Sequence, residues 1–169
     1  LWEMDKLNFI RRYARMDRPL NKFDIDISVY REKQTEIRSQ EDASQHINFI
    51  KIDCSLLKAS LIDHCQQWQR HLTNLLNDNA TKELEALNRL MVDNSQSLME
   101  QPKDLDHLSK SLTLLKDLRR DASSIEARFD PLDDMYACLA KYDVQVSDTE
   151  LQVKGNLRPQ WEDFKVTMD

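Results

Sequence analysis

The chain has 169 residues, of which 40% are hydrophobic and 32% charged, with one glycine and four prolines. This balance is typical of amphipathic helices and excludes a disordered chain. The formal net charge of −6 argues against a nucleic-acid surface. There is also no apolar run of about 18 residues that could span a membrane.

The N-terminal residues predict a helix over about residues 1–16, with Leu7, Ile10 and Tyr13 at helical spacing before Pro19. This part is basic, whereas the remainder is acidic. Its arginines have two interpretations. They form a solvated helix face, which is the more common case, or a patch for an acidic partner. These arginines are Arg11, Arg12, Arg15 and Arg18.

The next segment is ambiguous between strand and helix. Alternation at Phe23, Ile25, Ile27 and Val29 fits a strand, whereas Phe23, Ile27 and Tyr30 fit helical spacing. Since no partner strand is evident, we predict a helix over about 22–45. The stretch "INFIKID" is then a short apolar connector, followed by Asp53 as an N-cap.

Two long apolar stripes follow, with steps of three or four residues. They predict helices over about 53–101 and 104–142, separated by a turn at Pro102. The first stripe is Leu57, Leu61, Cys65, Trp68, Leu72, Leu76, Ala80, Leu84, Leu87, Met91, Asn94 and Leu98. The second is Leu105, Leu108, Leu112, Leu115, Leu118, Ala122, Ile125, Phe129, Leu132, Tyr136 and Leu139.

Pro131 lies inside the second stripe, after Asp130 and before Asp133 and Asp134. Asp at an N-cap and Pro at the first helical position would start a new helix. The continuous stripe favours a kinked single helix over two helices that meet there.

Two long stripes joined by a short turn must run antiparallel and need a third layer, for which the "FDIDISVY" helix is the nearest candidate. The predicted fold class is therefore all-α, an elongated antiparallel bundle of long helices. Residues 1–142 form one bundle segment, and residues 143–169 form a joint and the first helix of a following bundle. Because the chain opens on Leu1 in a helical pattern and closes in one, we expect a piece of a longer protein.

The joint is marked by a break in helical pattern over Tyr142–Val146, followed by the capping box "SDTE" at Ser147–Glu150. A new helix is predicted to start at about Asp148. It should bend where Pro159 displaces the hydrogen bond to the Gly155 carbonyl. Its apolar residues Leu157, Trp161 and Phe164 should face a core.

The search for chemistry yields no catalytic, cofactor-binding or metal-binding residue. A single glycine excludes phosphate-binding loops in this segment. His64 and His71 lie two helical turns apart, but no second ligand pair accompanies them, so packing is the better interpretation. Asp130, Asp133 and Asp134 are explained by a helix N-terminus.

Trp2, Trp68 and Trp161 are interpreted as core anchors. The three cysteines Cys54, Cys65 and Cys138 are far apart in the sequence and are interpreted as reduced thiols of an intracellular protein.

The order of several segments resembles the dynein heavy chain tail just before the linker, in its axonemal rather than cytoplasmic form. The segments are "FDIDISVYREKQTEI", "FIKIDCSLLKASLIDHCQQWQRHLTNLL", "IEARFDPLDDMYACLAKY" and "ALAKYDVQVSDTELQVKGNLRPQWEDF", which together cover most of Phe23 to Phe164. Residues before Phe23 match less clearly. These motifs are packing signatures, and their order carries the resemblance.

The resemblance implies a structural, force-transmitting segment of an ATP-driven microtubule motor of cilia and flagella. Its AAA+ domains would lie C-terminal to this chain, so ATP and Mg belong to that motor domain and no cofactor to this segment. The implied partners are dynein intermediate and light chains, other dynein heavy chains and axonemal docking components, with no nucleic acid and no membrane. The implied location is the cytoplasm and cytoskeleton, in the ciliary or flagellar axoneme.

Two alternatives belong to other classes. A spectrin-like helical scaffold or adaptor without a motor would carry repeats, but "CQQWQRHL" and "RPQWEDFK" share little around their tryptophans. A four-helix metal-carboxylate enzyme would need paired Glu-x-x-His motifs, which the sequence does not contain.

Overall fold

The structure, a computed structural model, describes residues 6–16, 18–40 and 44–168. These ranges are predominantly helical, which confirms the all-α fold class. The elements are α1 (Lys6–Arg15), α2 (Leu20–Ser39), β1 (Ser44–Ile47), β2 (Ile50–Asp53), α3 (Ser55–Met99), α4 (Leu105–Glu126), α5 (Phe129–Lys141) and α6 (Asp148–Met168). The start of the helix predicted over residues 1–16 and Trp2 lie outside the described residues.

The segment over Phe23–Val29 is helical, as predicted, because its buried residues recur at helical spacing. Phe23 and Ile27 are buried in α2, whereas Ile25 and Val29 are exposed. The helix ends at Ser39, so the prediction that it continues to residue 45 was wrong.

The connector "INFIKID" is part of a β-hairpin, which the sequence analysis missed. β1 and β2 pair antiparallel, with Ile47 opposite Ile50 across a two-residue turn. Asn48 takes a φ of 55° in that turn, a conformation that asparagine tolerates better than most residues. An asparagine between isoleucine-containing runs was the available signal.

The chain divides into two compact units, Leu1–Leu76 and Asn77–Asp169, and the division falls within α3. In the first unit, the core centres on Trp68, which is fully buried. The Tyr30 ring stacks on Trp68 with 5.4 Å between centroids, and the Phe9 ring meets it edge-on at 5.1 Å. Here α2 packs on the N-terminal part of α3, and a Gln69 to Gln34 hydrogen bond of 3.0 Å supports the contact.

In the second unit, α6 supplies the third layer beside α3, α4 and α5. The first predicted stripe runs through both units, and eight of its members are buried: Cys65, Trp68, Leu72 and Leu76 in the first unit, and Ala80, Leu84, Leu87 and Met91 in the second. Leu57, by contrast, is exposed. An ion pair of 2.7 Å between Glu83 on α3 and Arg128 beyond α4 brings the returning chain back beside α3.

The second predicted stripe is only partly core. Leu118, Ile125, Phe129, Leu132, Tyr136 and Leu139 are buried, but Leu105, Leu108 and Leu112 are exposed, so the prediction was wrong for these three. Among the described residues, α6 ends at Met168, whose carbonyl accepts a hydrogen bond from Arg119 on α4. The three exposed leucines precede that contact along α4.

Two helices meet just before Pro131, so the kinked single helix that the stripe favoured was wrong. α4 ends at Glu126 and α5 begins at Phe129, two residues before the proline. Pro131 therefore lies in the first turn of α5, where a missing backbone N–H costs no helical hydrogen bond. The predicted division into residues 1–142 and 143–169 stays a prediction.

Candidate functional site: the α5–α6 junction

The link between α5 and α6 is closed by backbone hydrogen bonds at the end of α5. Asp143 has a φ of 57° and lies just past the helix. The Val144 N–H donates to the Leu139 carbonyl at 3.1 Å, and the Asp143 N–H donates to Ala140 at 3.1 Å. This pair of bonds is a Schellman motif, with aspartate where glycine is usual. The reversal of the chain is thus fixed by its own backbone.

The start of α6 is capped as the sequence predicts. The helix begins at Asp148, and the Glu150 N–H donates to Ser147 Oγ at 3.2 Å. The Glu150 carboxylate has other partners, however. Its Oε1 accepts a hydrogen bond from the Tyr136 hydroxyl at 2.5 Å and another from Thr81 Oγ1 at 2.8 Å. One carboxylate oxygen therefore holds the first turn of α6 to both α5 and α3.

Tyr136 is positioned for this role because its ring is buried while its hydroxyl reaches Glu150. Burial, together with the hydrogen bond to Glu150, raises the pKa of Tyr136. The phenol consequently remains a donor throughout the physiological range. The Lys154 ammonium lies 5.3 Å from the centre of the same ring and forms an ion pair of 2.9 Å with Asp133.

Ion pairs also join the start of α5 to the middle of α6. One terminal nitrogen of Arg158 lies 2.8 Å from carboxylate oxygens of both Asp130 and Asp133. Burial opposes the charged form of Asp133, but the bonds from Arg158 and Lys154 outweigh it and lower the pKa of this carboxyl. Two of the three aspartates that sequence analysis assigned to a helix N-terminus, Asp130 and Asp133, thus also bind α6.

An aromatic contact also joins α5 to α6. Trp161 is 1% exposed and meets the Phe129 ring edge-on at 5.7 Å. Leu157 and Phe164 are buried as well, which confirms the predicted core face of α6. The helix continues through Pro159, and the predicted bend stays a prediction.

Of the two histidines considered for metal binding, His64 contacts a buried tryptophan. His64 Nε2 accepts a hydrogen bond of 3.1 Å from Trp68 Nε1, so that nitrogen of the half-buried imidazole already has a partner. The described residues contain no group of three or more His, Cys, Asp or Glu that could hold a metal ion. Cys65 and Cys138 are buried, Cys54 is half-buried, and none of the three forms a disulfide. Within the described ranges, no helix is long and apolar enough to cross a membrane.

These observations define a helical, coiled-coil type of segment whose ordered polar contacts join helices to one another. The family described as dynein axonemal heavy chain 2/5/8 coiled-coil matches residues 70–169. The chain is 36% identical to dynein axonemal heavy chain 2 of Mus musculus over 98% of its length. It is 37% identical over its whole length to the dynein-1-beta heavy chain of the flagellar inner arm I1 complex of Chlamydomonas reinhardtii.

The chain therefore belongs to the axonemal dynein heavy chain family, and the predicted resemblance is confirmed. This membership places it in the cytoskeleton of cilia and flagella. Dynein axonemal heavy chain 2 of Homo sapiens is 33% identical over 99% of the chain. The chain spans about 4% of the length of these relatives. The spectrin-like alternative is not supported, because the matching family is that of a dynein heavy chain.

Proposed function

We propose that this chain is a structural, force-transmitting segment of an axonemal dynein heavy chain tail. The heavy chain is then a microtubule motor whose ATP- and Mg-binding AAA+ domains lie C-terminal to this segment. The segment itself supplies no catalytic group and binds no cofactor. It helps to assemble the complex with intermediate and light chains and other heavy chains, and it anchors the motor to doublet microtubules through docking components.

The observation that carries this proposal is the density of contacts across the α5–α6 junction. A short link closed by a Schellman motif and a capping box leaves few rotatable bonds to absorb movement. Glu150, Arg158 and Trp161 then connect α6 to neighbouring helices by three different kinds of contact. Because packed interiors are dense and resist compression, a displacement of α6 is passed to α5 and α3.

The test compares motility with ATP turnover in the whole heavy chain. Replacing Arg158 with Ala and Tyr136 with Phe removes polar contacts of the junction, while Phe129 and Trp161 remain packed. We expect microtubule gliding to slow while ATP hydrolysis per motor is retained. The matched control is Arg89→Ala, which removes an exposed ion pair of 3.2 Å within α3.

Two outcomes would contradict this proposal. Unchanged gliding in the junction variant would show that these contacts transmit no force. An equal loss of ATP hydrolysis and gliding would place the defect in the motor cycle itself. Arm occupancy on doublet microtubules, counted by electron microscopy, tests the anchoring role separately.

A further inference from the structure

The first unit contains a cavity that no junction contact uses. It has a volume of about 330 Å³, at the lower end of the roughly 300–1,000 Å³ range of ligand pockets. Its walls are largely apolar and aromatic, and its charged lining comes from the segment between α1 and α2 and from α2. The lining includes Phe9, Tyr13, Val29, Arg18, Lys22 and Asp26.

The one carboxylate that lines this cavity is already satisfied. Asp26 accepts a hydrogen bond of 2.7 Å from Lys22 and another of 2.8 Å from the Tyr13 hydroxyl. Burial, with the hydrogen bond to Asp26, raises the pKa of Tyr13 and keeps its hydroxyl a donor. The negative charge of Asp26 is thus compensated within the chain.

Arg18 is the unsatisfied group of the cavity. Its guanidinium lies 4.4 Å from the centre of the Tyr13 ring, and one terminal nitrogen contacts the Met16 sulfur at 3.0 Å. Its Nε is buried and has no hydrogen-bond partner. A buried donor without a partner is unfavourable, so a carboxylate placed beside Arg18 would be stabilised there.

The positive charge extends from the cavity along α1. Arg11, Arg12 and Arg15 are exposed and form no ion pair within the described ranges, and α1 contains no acidic residue. Arg12 lies three residues after Phe9 and therefore beside it on the helix surface. This concentration of cations occurs in a chain whose net charge is −6.

We propose that this cavity and the α1 arginines form a docking surface for an acidic segment of a protein partner. An apolar or aromatic side chain of that segment enters the cavity. Its carboxylates then lie beside Arg18 and Arg12. Charge complementarity selects the acidic segment, and the aromatic walls select its anchor. A nucleic acid fits less well, because its backbone offers no apolar anchor for the cavity.

The probe is a fluorescein-labelled synthetic helical peptide that carries several glutamates and one tryptophan. Its binding to the whole heavy chain is followed by fluorescence anisotropy. Val29 is 46% exposed at the cavity mouth, so Val29→Trp fills the entrance without opening the core. The matched control is Ile25→Trp on the same helix, because Ile25 is 52% exposed and does not line the cavity. Arg12→Glu is paired with Lys110→Glu, an exposed cation on α4.

We expect Val29→Trp and Arg12→Glu each to weaken peptide binding about tenfold or more, a loss typical of an anchor or a charge contact. The two control variants should bind the peptide within about twofold of the wild type. Replacing the peptide's tryptophan by serine, or its glutamates by glutamines, should produce similar losses. Equal binding by the Val29→Trp and Ile25→Trp variants would overturn the proposal. So would displacement of the peptide by an oligonucleotide, or sedimentation showing that the occupant is a second copy of the heavy chain.

Discussion

The Tyr136 hydroxyl donates a hydrogen bond of 2.5 Å to the Glu150 carboxylate, which joins the buried face of α5 to the first turn of α6. In a capping box, the carboxylate at this position usually returns to the N-cap backbone. Here the Glu150 carboxylate instead accepts hydrogen bonds from Tyr136 and Thr81, which lie on other helices. Glu150 therefore takes part both in the cap that starts α6, through its backbone N–H, and in the contact that positions the helix, through its carboxylate.

Replacing Tyr136 with Phe removes this bond and leaves the ring in place. A hydrogen bond to a charged group contributes roughly 1.5–3 kcal/mol, so the free energy of unfolding should fall by about that amount. Urea denaturation followed by circular dichroism measures the change. Tyr30→Phe is the control, because the Tyr30 contribution resides in its ring stacked on Trp68, and it should be nearly neutral. Equal losses for both variants would contradict the assigned role.

Acidification should weaken the contact between Asp133 and Arg158. Because the folded-state pKa of Asp133 lies below its ordinary value of 3.8, its contribution to stability is complete above that value. The contribution is lost as pH falls through the lower, folded-state pKa. Thermal unfolding as a function of pH should therefore show a shallower acid limb in Asp133→Asn than in the wild type.

Asp134→Asn is the matched control for that experiment, since Asp134 is exposed and forms no ion pair within the described ranges. Its acid limb should follow that of the wild type. An unchanged acid limb in Asp133→Asn would show that the ion pair with Arg158 does not form in solution.

Gly155→Ala should stabilise the chain. Gly155 lies inside α6, and a Cβ added there would meet no atom within 4 Å. Glycine costs roughly 0.5–1 kcal/mol relative to alanine inside a helix, so the free energy of unfolding should rise by about that amount. The reverse change at an exposed helical position, Ala86→Gly, should lower it comparably. A destabilising Gly155→Ala would mean that the surface around Gly155 is occupied or that α6 is strained there.

Two leucines from the same predicted stripe should respond differently to truncation. Leu132 is 1% exposed, so Leu132→Ala should cost roughly 2–5 kcal/mol of stability through lost burial and the cavity left behind. Leu112 is 58% exposed, so Leu112→Ala should change stability by only about 0.5 kcal/mol. Chemical denaturation of both variants decides the point. A large loss of stability in Leu112→Ala would indicate that Leu112 is buried, as the sequence predicted, and would contradict the structure.

The tryptophan of the junction offers a further comparison. Trp161 Nε1 is buried without a hydrogen-bond partner, although its ring packs edge-on against Phe129. Trp161→Phe keeps an aromatic ring and removes the unpaired donor, whereas Trp161→Ala should cost roughly 3–5 kcal/mol. We therefore expect the melting temperature of the phenylalanine variant to lie much closer to that of the wild type. Similar melting temperatures for the two variants would show that the ring contact contributes little.

The sequence by itself determined the elements whose signals are local. Helical spacing of apolar residues determined that Phe23 and Ile27 face a core, and the "SDTE" box determined where α6 begins. The hairpin was equally local, since Asn48 marks its turn, but its short strands were taken for a connector. These features depend on residues a few positions apart, so their pattern is visible along the chain.

Only the tertiary structure decided which apolar residues of each stripe are buried and which distant side chains are in contact. Leu105, Leu108 and Leu112 carry the same apolar periodicity as Leu132, yet they are exposed, whereas Leu132 packs in the core. Likewise, no spacing rule connects Glu150 with Thr81 or Arg18 with the Tyr13 ring. Periodicity states which face of a helix is apolar, whereas burial depends on whether another helix reaches that face, and this follows from the packing of distant segments.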